Sequence, residues 1–164
     1  MMSSQAVFIK VQNTLMPRAR RGRGLTVEEM QKAAGEVVEG HKTKFRDELL
    51  EAIAGSRAAI DAWRPGRGLA GLVSELFAMA AKAEEHGAIF GNRLLSEVGV
   101  KLTKLTSRFS SAAAASTPSD KAMTSIRLHL DAMTVALDRA QADTIDEAGQ
   151  RLLNNLELTH RTIK

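Results

Sequence analysis

The sequence contains no cysteine and no tyrosine; tryptophan occurs once, at Trp63, and proline three times in 164 residues. Without cysteine the chain forms no disulfide, no thiolate metal site and no thiol nucleophile. No stretch approaches the roughly eighteen consecutive apolar residues of a membrane-spanning helix. No apolar signal core follows the first residues, because Val7-Phe8-Ile9 runs at once into Lys10. The expectation is a cytoplasmic chain with no membrane contact. Runs of β-branched residues are also missing, while Ala, Leu, Glu, Lys and Arg dominate, which predicts an all-α protein.

The net charge of +4 conceals an uneven distribution. Residues 1–25 carry five basic residues, Lys10, Arg18, Arg20, Arg21 and Arg23, and no acid. The remainder holds 18 basic against 19 acidic residues, a net −1. Pro17 to Gly24 has no apolar period, and residues 1–25 read as a flexible, solvated basic arm. Arg18, Arg20, Arg21 and Arg23 suit a weak nucleic-acid contact or an acidic protein surface; no aromatic interleaves them, so base stacking has no support. The competing reading is a tail kept in solution by its charge.

From residue 26 the chain reads as successive amphipathic helices forming a single domain, 26–164. Thr26-Val27-Glu28-Glu29 has the form of a capping box, with Leu25 and Met30 placed for a hydrophobic staple. Behind it Met30, Ala33, Val37, Val38, Phe45, Leu49, Ile53, Ile60 and Trp63 make an apolar stripe. Gly35 and Gly40 each weaken that helix by roughly 1 kcal/mol against alanine, so a bend or break is expected near Gly40. Pro65, Gly66 and Gly68 end it. Leu69, Leu72, Val73, Leu76, Phe77 and Ala80 repeat the i, i+3, i+4, i+7 spacing until Gly91-Asn92 interrupts it. Leu94, Leu95, Val98, Leu102, Leu105 and Phe109 then restart it. Two helices with so tight a joint form an antiparallel pair that other helices must cover. Ser110 to Pro118 reads as fading helix and loop. Ser119 or Asp120 is placed to cap a helix on Met123, Ile126, Leu130, Met133 and Leu137. Thr144-Ile145-Asp146-Glu147, a second capping box, opens a last helix on Ile145, Ala148, Leu152, Leu153 and Leu156. Five or six helices with short connections predict an up-and-down bundle.

The residues alone disclose no chemistry. Of the histidines His41, His86, His129 and His160, no two stand three or four apart, so there is no local metal clamp. Neither a Gly-x-Ser-x-Gly elbow nor a glycine loop that cradles phosphate is present. Glu84 and Glu85 are adjacent, and neighbours on a helix point about 100° apart, too far to share a proton. The expectation is a protein that is not an enzyme, with no cofactor and no metal site.

The stretch Leu76-Phe77 through Leu94-Leu95 resembles the central hairpin of histidine-containing phosphotransfer domains, the helical bundles of bacterial phosphorelays. It is most similar to an α-proteobacterial subgroup that carries Ala-His-Asp-Leu-Lys-Gly-Gln-Gly-Gly-Thr-Phe-Gly. Setting Phe90-Gly91 on the last two residues brings Ala80 and Gly87 onto an alanine and a glycine of that motif. The resemblance covers about residues 26–110 and implies a four-helix bundle of the phosphotransfer type with an extra N-terminal helical segment. It also places Ala81 on the phospho-accepting histidine, Glu84 on the lysine that would balance phosphate charge, and Glu85 on a glycine. The alanine supplies no nucleophile, and the two carboxylates repel a dianionic phosphoryl group where the family would hold one.

What the resemblance implies is therefore a degenerate member: a non-catalytic signalling and interaction module of two-component systems that binds a protein partner without carrying phosphate. A response-regulator receiver or a histidine kinase is the expected partner class. Ala78, Ala81, Lys82 and Glu85 mark the candidate partner face. The alternative is an active phosphorelay protein with a relocated acceptor. His86 lies five residues past Ala81, rotated roughly 140° from it. His41 keeps a lysine three residues on, at Lys44, but lies on another helix. A third reading, from another class, is a nucleic-acid or regulatory binder that uses the arginine arm.

Overall fold

The computed structural model describes residues 25–64, 70–112, 120–139 and 144–162. Among them are five helices and no strand: α1 (Val27–Ala62), α2 (Ala70–Ile89), α3 (Arg93–Ala112), α4 (Asp120–Asp138) and α5 (Glu147–Thr162). The all-α reading holds. The arm and the expected features at Leu69, at Pro65 to Gly68 and at Ser119 lie outside the described residues, except for Leu25 at the arm's end. The chain divides into two compact units, Met1–Gly40 and His41–Lys164.

In the first unit the capping box forms as expected: Thr26 N donates to Glu29 Oε2 at 2.7 Å, and Glu29 N donates to Thr26 Oγ1 at 3.1 Å. Two expectations fail here. The helix runs unbroken through Gly35 and Gly40, because a cost of about 1 kcal/mol per glycine is too small to stop a long helix. Met30, Ala33, Val37 and Val38 are exposed rather than core, as is Leu25, so no covered staple forms. The helical register of the stripe runs on from Met30 to Ile60 across His41 and Ser56, and a period reports a stripe, not whether anything lies over it.

In the second unit the buried part of α1 is the stripe Phe45, Leu49, Ile53, Ser56 and Ile60. Arg46–Asp138, Arg57–Asp131 and Arg127–Asp61 ion pairs, at 2.8, 2.6 and 2.8 Å, join α1 to α4 and fix the two as antiparallel. All three are exposed and contribute little energy. The core holds Leu76, Val98, Leu102, Leu105, Ile126, Leu130 and Met133, all essentially without solvent contact. Each such side chain stabilises the fold by about 1.5–3 kcal/mol. Phe77, placed on the buried stripe by its spacing, is 43% exposed.

The α2–α3 pair is the closest contact in the fold, and small residues make it. A Cβ on Gly87 would lie 2.6 Å from Ser96 N, and one on Gly99 2.7 Å from Glu84 N and 2.8 Å from Ala80 O. Backbone thus lies against backbone, with Ala80 and Ala83 fully buried beside them. Gly99→Ala is expected to cost about 1–3 kcal/mol by forcing the two helices apart. Gly55→Ala, where nothing lies within 4 Å, should instead gain up to about 1 kcal/mol from helix propensity. Urea unfolding of the two variants side by side checks the contrast.

The turn between α2 and α3 follows from Gly91 and Asn92. Gly91 has φ 71°, the left-handed conformation that ends a helix at little cost only in glycine. Asn92 N then reaches back to Gly87 O at 2.8 Å, the 6→1 bond of a Schellman motif. Asn92 at once caps α3, its Oδ1 accepting from Leu95 N at 3.0 Å, while its Nδ2 donates to Ala136 O in α4 at 2.9 Å.

The last helix departs from expectation at its start. Asp146, not Thr144, is the cap: its Oδ1 accepts from Gly149 N at 2.7 Å, and Arg139 closes an ion pair on the same oxygen at 2.7 Å. The Gly149 N–H and then the Arg139 guanidinium hold the Asp146 carboxyl below its ordinary range. A carboxylate at the cap serves as well as a hydroxyl and also gains the nearby cation, so the Thr-x-x-Glu spacing loses. The Arg139–Asp146 pair at one end, with the Ser125–Thr159 and His129–His160 contacts toward the other, makes α4 and α5 antiparallel.

Candidate functional site

Ala78, Ala81, Lys82 and Glu85 stand at i, i+3, i+4 and i+7 of α2, and all four are exposed. They therefore share the outward side of the helix. Ala81 lies in mid-helix, and Glu84 is exposed as well. At Ala81 this face offers a methyl group, which can neither accept a phosphoryl group nor move a proton.

Beside that face an open groove of about 350 Å³ runs between α1 and α2. Buried Phe45, Leu49 and Met79 line it together with exposed Glu48, Glu75 and Lys82, and Ala52, Gly55 and Ala78 are too small to fill it. Ala78 and Lys82 belong to both the groove and the outward face.

The two alternative acceptors have different surroundings. His41 is exposed on α1. His86 stacks on Phe45, ring centroids 4.1 Å apart and planes within 9°, with Phe90 tilted against it at 5.7 Å. Its Nδ1 is buried and has no hydrogen-bond partner among the described residues. The ring serves as an aromatic spacer between α1 and the end of α2.

The other two histidines come together, which spacing alone did not disclose. His129 and His160 are both buried, rings stacked with centroids 4.9 Å apart, and His160 Nε2 lies 3.0 Å from His129 Nε2. His129 Nδ1 lies 2.7 Å from Ser125 O. A carbonyl only accepts, so Nδ1 carries the proton, His129 Nε2 is an acceptor and His160 Nε2 donates to it. Burial lowers the His129 pKa from 6.5 to about 4, against the help of the Ser125 carbonyl. Burial also lowers that of His160, and Arg108 adds to it. Around the pair Ser125 Oγ lies 3.1 Å from Thr159 Oγ1, Lys101 pairs with Glu157 at 2.8 Å and Arg108 donates to His160 O at 3.0 Å. The pairing bond from Lys101 keeps the Glu157 carboxyl below its ordinary range. The burial of each ring was legible: His129 follows Ile126 by three, and His160 follows Leu156 by four.

Among the described residues no helix is long and apolar enough to cross a membrane. Comparison with protein-family models, with curated proteins and with solved structures finds no match to this chain.

Proposed function

We propose that this chain is a non-catalytic interaction module, built like a phosphotransfer bundle, which binds a protein partner across the outward side of α2 and carries no phosphate. One observation supports this above the others: a mid-helix alanine, Ala81, is exposed between small and charged residues beside an open, partly apolar groove. Such a surface offers close approach and buried apolar area but no nucleophile. Glu84 and Glu85 would repel a phosphoryl group held there. His86 is engaged by Phe45 and Phe90, which argues against it as an acceptor. The expected partner class remains a receiver or the core of a histidine kinase.

Two measurements test the reading. Radiolabelled phospho-receivers mixed with the full chain are expected to leave it unlabelled. A receiver or kinase core that binds is expected to lose at least about tenfold in affinity to Ala81→Arg, which places a bulky cation on the face (about 1.4 kcal/mol). Label that reaches the chain and is lost in His86→Ala or His41→Ala overturns the proposal.

A further inference from the structure

The buried histidine pair joins two helices, and its chemistry decides what a change of proton count does to them. With one tautomer forced by the Ser125 carbonyl, the neutral pair holds one N–H directed at one lone pair. A first added proton has a place to go, on His160 Nδ1, and leaves that bond intact. A second must sit on His129 Nε2. Two N–H groups then face each other at 3.0 Å, and two cations share a site closed to water.

Among the described residues one carboxylate, Glu157, favours charge on the pair, against three cations that oppose it. The charged groups that act on it come from α3 and α5: Lys101, Lys104 and Arg108 on the first, Glu157 on the second. The single carboxylate among them, Glu157, is already paired with Lys101. From α4 the pair meets the Ser125 carbonyl, while the Ser125 hydroxyl bonds with Thr159. Apart from the pair, α5 buries only two large apolar side chains, Leu153 and Leu156. The α2–α3 hairpin, by contrast, is held by direct backbone contact and a fully buried stripe.

We infer that the His129–His160 contact is a proton-operated latch: the second proton releases α5 from α3 and α4 while the α2–α3 hairpin stays folded. The reading is independent of the α2 face.

Amide hydrogen exchange on the full chain between pH 7.5 and 3, corrected for intrinsic rates, tests it alongside imidazole titration by NMR. Amides of α5 are expected to lose at least tenfold in protection at a pH where α2 and α3 keep theirs, and that loss should track the second titration of the pair. Two variants without either imidazole, His129→Leu with His160→Leu and His129→Asn with His160→Gln, are expected to keep α5 protected through the same range; either one that folds suffices. Loss of protection in all helices together, α5 still protected after both rings are charged, or acid release unchanged in a variant that has neither imidazole would each overturn the latch.

Discussion

Asn92→Ala is expected to destabilise the protein by about 2–4 kcal/mol, a large share of the stability of a domain this size. Two losses add. The first is the cap on α3, since Oδ1 no longer accepts from Leu95 N; caps of this kind contribute about 1 kcal/mol. The second is the donor to Ala136 O, near the end of α4. That carbonyl stays buried without a partner, at about 1–3 kcal/mol. Asn92→Asp separates the two, because a carboxylate still caps α3 but turns an acceptor toward the Ala136 carbonyl. Denaturant midpoints of the three proteins at pH 7.5 read the result. An alanine variant within about 0.5 kcal/mol of the parent would show that the side chain does not join the hairpin to α4.

Acid comes second. The unfolded chain protonates His129 near 6.5, and the folded chain only near 4. Between those values the unfolded state binds more protons, so stability falls as pH falls. The contribution of neutral His129 is fully present above 6.5, declines through the interval, and has no further effect below about 4. A displacement of this size corresponds to about 3 kcal/mol. His160 acts in the same direction. Asp146 and Glu157 are held below the ordinary carboxylate range, so their losses fall at lower pH and leave the histidine window distinct. Unfolding free energies at pH 7.5, 6, 5 and 4.2 should decline for the parent and flatten in the variant with leucine at both positions.

Where a signal was local, it was legible. Gly91-Asn92 announced both the end of one helix and the start of the next, since glycine ends helices and asparagine caps them. Thr26 and Glu29 formed the bonds their spacing required. At Thr144 the same spacing failed because the helix starts two residues later, where Asp146 takes the Gly149 N–H with a full charge and has Arg139 within reach. Met30, Val37 and Val38 show the limit of periodicity: they keep helical spacing, and none of the described residues covers them. The outward side of α2 was legible in the same way, because Ala78, Ala81, Lys82 and Glu85 keep helical spacing. The groove beside it was not, since its walls come from two helices whose separation no local pattern encodes. Nor was the bond between His129 and His160, 31 residues apart.

The contact between the α2 and α3 backbones has a consequence for how this sequence can change. One residue added to the Phe90–Asn92 turn would turn α3 by about 100° relative to α2, carrying Gly99 away from Glu84 and bringing a full side chain against the main chain. Surface connections usually absorb changes of length. This one is a fixed gauge: among chains that share this hairpin, its length should stay constant while the composition around it drifts.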